Sequence, residues 1–188
     1  MEHHEILIGG FGGQGILFLG RVLATAGMVE GYEVSWFPSY GPEMRGGTAN
    51  CTVIISEEKI GATITDHPHV LMAMNTPSFL RFAPLVRQNG LIMVNSSLVS
   101  EYSASPGIEI LKVPANELAG KEVNAPETTN IVMLGALLAF KPVVKFESVE
   151  EALKLILRGK KEVFLQLNLK ALQVGKHFVE QGGKINAC

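Results

Sequence analysis

Glu5-Ile6-Leu7-Ile8-Gly9-Gly10-Phe11-Gly12-Gly13-Gln14-Gly15 is the stretch on which the fold turns. A short apolar run that stops on glycines has the pattern of a buried strand entering a tight turn. Beyond the turn, Ile16, Leu19, Val22, Leu23 and Ala26 recur at helical spacing as far as Val29, and Tyr32 to Phe37 reads as a second strand. Strand, glycine turn, helix and strand open an α/β fold: a doubly wound, mainly parallel, Rossmann-like sheet.

The rest of the chain continues that pattern. Pro38 to Gly47 is rich in turn residues, and strands are predicted at Ala49 to Ser56 and at His69 to Met74. Thr76 is the expected N-cap of the next helix, with Pro77 at its first position and Gly90 closing it. Leu91 to Val94 and Ile108 to Val113 are the remaining strands. After Pro114 the pattern turns helical, over Ala115 to Lys121, Glu127 to Phe140, Ser148 to Arg158 and Glu162 to Gln181. Ser148-Val149-Glu150-Glu151 reads as a capping box. The expected architecture is therefore an α/β domain with a helical C-terminal third. No repeat or linker interrupts it, so residues 1–188 are expected to form a single domain.

Composition narrows the function. The 188 residues are 47% hydrophobic and 18% charged, with a formal net charge of −2. That charge gives no electrostatic reason to expect nucleic acid or an anionic membrane. Mean hydropathy is +0.24, which fits a generous core or apolar surface covered by partner subunits. The two cysteines, Cys51 and Cys188, form no C-x-x-C pair, so this chain alone is not expected to build a zinc or iron–sulfur site. Met1-Glu2-His3-His4-Glu5 lacks the basic start of a signal peptide, and the apolar run Ile131 to Phe140 is half of a membrane span. A cytoplasmic protein is the expectation.

Gly10-x-Gly12-x-x-Gly15 lies where a dinucleotide fingerprint requires, between a strand and a helix. Glycines let the backbone approach a phosphate, and a helix N-terminus supplies N–H donors and the positive end of its dipole. Two checks oppose NAD. The end of the second strand carries Ser35, Trp36 and Phe37 where a ribose-binding acid belongs, and Glu33 is at the wrong end. No Lys-Ser or Lys-Thr follows the glycines, which removes a P-loop. Three readings stay open: an anion site for a ligand other than NAD, a purely structural turn, and a dinucleotide site. The second loop adds Arg45 beside Gly46 and Gly47, a fixed cation on a permissive backbone suited to phosphate or carboxylate. Glu43 can orient Arg45, or the two can form no more than a weak surface pair.

Together, Gly9-Gly10-Phe11-Gly12-Gly13-Gln14-Gly15 and Pro38-Ser39-Tyr40-Gly41-Pro42-Glu43-Met44-Arg45-Gly46-Gly47-Thr48-Ala49-Asn50-Cys51 resemble the gamma subunit of 2-oxoacid:ferredoxin oxidoreductases. The resemblance continues, in order, through Met74-Asn75-Thr76-Pro77-Ser78-Phe79, Asn95-Ser96-Ser97 and Asn130-Ile131-Val132-Met133-Leu134-Gly135-Ala136. The segment Met44 to Cys51 is more similar to 2-oxoglutarate-type than to pyruvate-type subunits. The resemblance implies a complex that decarboxylates a 2-oxoacid on thiamine diphosphate, passes electrons through iron–sulfur clusters to ferredoxin and releases an acyl-CoA. It also implies alpha, beta and ferredoxin-like delta-type partner subunits. A magnesium-held thiamine diphosphate needs a Gly-Asp-Gly segment, and the one aspartate here, Asp66, stands between Thr65 and His67. Thiamine diphosphate, magnesium and clusters are thus expected in partner subunits.

What remains for this chain is coenzyme A recognition and assembly, because the corresponding domain of single-chain relatives is associated with coenzyme A. The candidate contacts are Gly12, Gly13, Gln14, Arg45, Gly46 and Gly47; no catalytic residue and no metal ligand is assigned. The alternatives are a free-standing dinucleotide-binding oxidoreductase and a purely architectural subunit. Other suggestive residues take plainer readings. His67 and His69 are expected as surface-loop residues, Asn130 as a helix cap, and Met72, Met74 and Met133 as packing. Cys51 reads as a buried small hydrophobe, since no adjacent cation would activate it.

Overall fold

The computed structural model describes residues 3–40, 48–100, 102–103, 105–159, 162–183 and 185–187. Its centre is a seven-stranded sheet made of β1 (His3–Phe11), β2 (Glu33–Tyr40), β3 (Thr48–Ser56), β4 (Val70–Ala73), β5 (Leu91–Asn95), β6 (Glu109–Val113) and β7 (Ile185–Ala187). The order across the sheet is β2-β3-β1-β4-β5-β6-β7. β1, β4, β5 and β6 pair in parallel, whereas β3 runs antiparallel to both β1 and β2, and β7 antiparallel to β6. Five of the seven strands therefore point one way, so the sheet is mainly parallel, as predicted.

Its opening is not the simple β-α-β unit that the glycine turn suggested. The second strand is separated from the first by β3, which slots in between. The seven residues joining β2 to β3 are too few for a parallel crossover, so the two strands form an antiparallel pair. β2 also continues through Pro38, Ser39 and Tyr40, which had been expected to begin a loop. As the outermost strand, β2 tolerates a proline that cannot donate to a ladder.

Helices cover the two faces unequally. α1 (Ile16–Val29), α3 (Ala115–Leu118), α4 (Thr129–Phe140), α5 (Phe146–Ile156) and α6 (Glu162–Glu180) gather on one face, and α2 (Thr76–Phe82) takes the other. Strand alternation divides the core accordingly. Ile6, Ile8, Val70, Met72, Leu91 and Met93 join the larger cluster, while Leu7, Leu71, Ala73, Ile92 and Val94 meet α2. The periodic residues Ile16, Leu19, Val22, Leu23 and Ala26 all face the core, as their spacing predicted. Met72, Met74 and Met133 are fully buried.

The helical third differs in two respects. α5 begins at Phe146 with Lys145 as its N-cap residue, so Ser148 sits inside the first turn and is no cap. The α3 segment passes into a π-helical turn, Ala119–Val123, which ends at Asn124 with φ 62°. Most consequential is α4. A helix apolar on all sides must be covered on all sides, and Thr129 to Leu138 is buried within this chain. Its cover is α6: a Cβ at Gly135 would strike the Leu172 carbonyl, and one at Gly175 the Val132 carbonyl. The two backbones touch through reciprocal glycines. No helix among the described residues is long and apolar enough to cross a membrane.

Candidate functional site

The parallel strands end along one edge, where Gly9, Ala73, Val94 and Lys112 lie in register. From this edge the chain leaves β1 into α1 on one face and leaves β4 into α2 on the other. Neighbouring strands whose crossovers diverge open a crevice between them, the usual ligand position in such sheets. The glycine turn stands at its mouth.

Glycine is required in that turn by geometry. Gly13 has φ 102° with open space around it, and Gly15, the N-cap position of α1, has φ 72°. α1 begins with no side-chain cap, so its first turn presents uncapped N–H groups toward the crevice. A cleft of about 170 Å³ lies there, lined by Gly13, Gln14, Met74, Asn116, Pro126, Glu127 and Thr129.

Gln14 was expected to face a ligand, and the structure gives its side chain other work. Its Oε1 accepts from the Phe11 N–H (2.7 Å) and from Asn75 Nδ2 (2.9 Å), while Nε2 donates to the Met74 carbonyl (3.3 Å). The amide thus ties the glycine turn to the end of β4. Asn75 continues the chain, since its Oδ1 accepts from the Ser78 N–H at 2.9 Å and caps α2. The expected cap, Thr76, is diverted: its hydroxyl donates to the Leu98 carbonyl at 3.0 Å. Asn130 is not a cap either. It lies inside α4 and donates from Nδ2 to the Gly15 carbonyl at 3.0 Å, bracing the turn from the helix side.

Of the candidate contacts, Gly12, Gly13 and Gln14 lie together at the crevice, with Gly13 and Gln14 in the cleft wall. Arg45, Gly46 and Gly47 lie outside the described residues, as does Glu43. The ends of their loop are placed: Thr48 is opposite Phe11, and Tyr40 pairs with Ala49. Both ends therefore stand at the strand edge that bears the glycine turn. The one charged side chain in the described cleft wall is Glu127.

Among the described residues, the remaining groups do not fit an iron–sulfur or thiamine site. Cys51 is fully buried, and burial pushes its thiol up to about 12, so it stays protonated. Its Sγ points at the Ile16 carbonyl at 3.6 Å. Asp66 is exposed in the connection between β3 and β4, on the opposite edge of the sheet. On that edge His67 is exposed as expected, but His69 is only 8% exposed, contrary to the surface reading. His69 Nε2 lies 3.8 Å from Glu5 Oε2, which also accepts from the Thr65 hydroxyl at 2.7 Å. Burial, followed by the nearby Arg87 charge, lowers His69 to about 4, so it is neutral in the fold.

Asn75, Asn116 and Asn130 build this site and were not foreseen as a group. Each follows a strand or opens a helix, a weak signal for an asparagine because it fits caps and turns equally well.

Fold and crevice together define a class: a mainly parallel α/β domain with a glycine turn at a switch-point crevice. Within that class the sequence is specific. The pattern of the pyruvate ferredoxin/flavodoxin oxidoreductase family matches residues 5–178, and the chain belongs to that family. It is 40% identical over 178 residues to the ketoisovalerate oxidoreductase subunit VorA of Methanothermobacter thermautotrophicus, covering 94% of this chain. The chain spans about a third, 36%, of that relative's length. It is 33% identical to the 2-oxoglutarate synthase subunit KorC of Methanocaldococcus jannaschii, covering 92% of this chain and 94% of that one. The crystal structure of a keto/oxoacid ferredoxin oxidoreductase gamma subunit from Geobacter sulfurreducens superposes with a TM-score of 0.79 at 30% identity. That match covers 95% of this chain and 99% of the other.

Proposed function

We propose that this chain is a non-redox, gamma-type subunit of a thiamine diphosphate and iron–sulfur 2-oxoacid:ferredoxin oxidoreductase complex. In this reading it helps the oxidative decarboxylation of a 2-oxoacid to an acyl-CoA by recognising coenzyme A and by joining alpha, beta and delta-type subunits. Electrons leave through the partners' clusters to ferredoxin. The observation that carries the reading is the convergence, in a chain of this family, of the glycine turn and both ends of the Arg45 loop at one crevice mouth. A phosphate seated there gains helix N-terminal N–H contacts and a charge-assisted pair with Arg45. We put 2-oxoglutarate first as the oxoacid, because relatives named for it match this chain along most of their own length. Ketoisovalerate is the competing oxoacid.

The test is the coenzyme A KM of the reconstituted complex. Arg45→Met should raise it roughly tenfold to a hundredfold, the loss of about 1.4–2.8 kcal/mol, with the complex assembling normally. An unchanged KM would support the second reading, a purely architectural subunit. That alternative draws on the Gln14 amide, whose hydrogen bonds all close within the chain.

A further inference from the structure

The carboxamides around the crevice differ in one respect: all but one direct their polar atoms inward. Backbone groups fix their orientation, because a backbone N–H can only donate and a backbone carbonyl can only accept. Phe11 N–H and the Met74 carbonyl orient Gln14, Ser78 N–H orients Asn75, and Ile131 N–H and the Gly15 carbonyl orient Asn130. A second relay runs along β5. The Ser97 N–H donates to Asn95 Oδ1 at 3.3 Å, so Asn95 turns Nδ2 outward to Asn116 Oδ1 at 2.7 Å. Asn95 is fully buried. Asn116 lines the cleft and is held there by its oxygen, which leaves Nδ2 as the end it has to offer. That nitrogen makes no hydrogen bond to the described residues, although it carries two N–H donors.

We propose that Asn116 is a ligand-contacting, specificity-determining residue of this crevice, and that it donates to an uncharged acceptor on the coenzyme A molecule. The proposal rests on the coenzyme A reading above. The acceptor is uncharged because Glu127 lines the same cleft, and its carboxylate repels a phosphoryl group there while accepting from an N–H. An amide carries both the acceptor and the N–H, as does an aminopurine edge. The phosphates then belong at the glycine turn, where the first-turn N–H groups of α1 are uncapped. The Ser97–Asn95–Asn116 relay sets the polarity of the contact: it presents a donor where a freely rotating asparagine would present either end.

The experiment uses the assembled complex carrying wild-type, Asn116→Ala or Asn116→Asp chains, assayed with coenzyme A and, separately, with pantetheine. Asn116→Ala should raise the coenzyme A KM about fivefold, the equivalent of roughly 1 kcal/mol for one hydrogen bond, with kcat unchanged. Asn116→Asp should raise it more, about tenfold or beyond, because a carboxylate then faces the acceptor. If pantetheine shows the same loss, the acceptor is a pantetheine amide; if only coenzyme A does, it lies on the adenine. Asn116→Ala leaves the buried Asn95 Nδ2 without that partner, so a thermal melt of each complex checks that both variants are folded. A KM unchanged in both variants while Arg45→Met raises it overturns the Asn116 role alone. A KM unchanged in all three overturns the coenzyme A reading as well. A lower kcat with unchanged KM makes Asn116 structural and also overturns the proposal.

Discussion

Gln14 and His69 illustrate how a residue's chemistry is settled by partners far from it in sequence. Gln14 belongs to a glycine motif that invites a ligand, yet its amide is consumed by Phe11, Met74 and Asn75. The bracing asparagines could not be read from local sequence, since Asn75 meets Gln14 across 61 positions and Asn130 meets Gly15 across 115. The inertness of Cys51 was legible, because an apolar neighbourhood alone decides it. His69 carries a stability consequence. Its ordinary value of 6.5 falls to about 4 in the fold, so the unfolded chain binds the proton more readily. Stability should therefore be complete above 6.5 and fall as pH drops toward 4, by up to about 3 kcal/mol from this group. Glu5 extends the loss below that window. Burial works to raise its carboxyl, but the Thr65 hydroxyl and His3 outweigh this and hold it below 4.5. Denaturant melts of wild type and His69→Gln between pH 7 and pH 4 check the assignment, and the variant should show the flatter acid slope. Parallel slopes would place the titration elsewhere.

Elements were easier to foresee than their ends. Every predicted strand and helix exists, because burial imposes the periods of 2 and 3.6 over whole segments. The caps moved by one to three residues, at α2 because the adjacent Asn75 and Thr76 could do the same job. The cover of α4 was not legible for a different reason: apolarity on all sides requires cover but does not say whose. Here α6 provides it, and at Gly135 and Gly175 the contact leaves no room for a Cβ. Gly175→Ala or Gly135→Ala drives a methyl into a carbonyl oxygen of the opposite helix, which cannot rotate away. Each substitution should cost on the order of 2–4 kcal/mol, although alanine favours helices intrinsically. Gly61→Ala, which meets nothing within 4 Å, should be near neutral. Thermal melts of the three variants decide the point, and equal midpoints would mean that α4 and α6 pack less tightly than this.

At the scale of the molecule, the α/β class and the family were readable because they rest on loops whose residues act locally on the backbone. Strand order was not. Placing β3 between β1 and β2 depends on the length of one connection, and β7 pairs with β6 from a part of the chain that showed no strand pattern. The resulting body has two cores, one on each face of the sheet, both closed by this chain's own helices. Such a body needs no partner to bury its centre, and the chain purified alone should fold with a single cooperative melt. On the proposed function, folding alone should not bring activity. Cluster irons need thiolates, and Cys51 holds its proton up to about 12 behind a closed core. Magnesium-held thiamine diphosphate needs hard oxygen ligands in a cleft, and Asp66 is on the edge away from the crevice. The isolated subunit should therefore be colourless and should not reduce ferredoxin with any 2-oxoacid, although it unfolds cooperatively. On the same proposal, adding alpha, beta and delta-type subunits should restore turnover that depends on coenzyme A. Iron–sulfur absorbance in the lone chain, or ferredoxin reduction by it, would refute a non-redox role. A lone chain that melts without cooperativity would instead show that its two cores are completed by the complex.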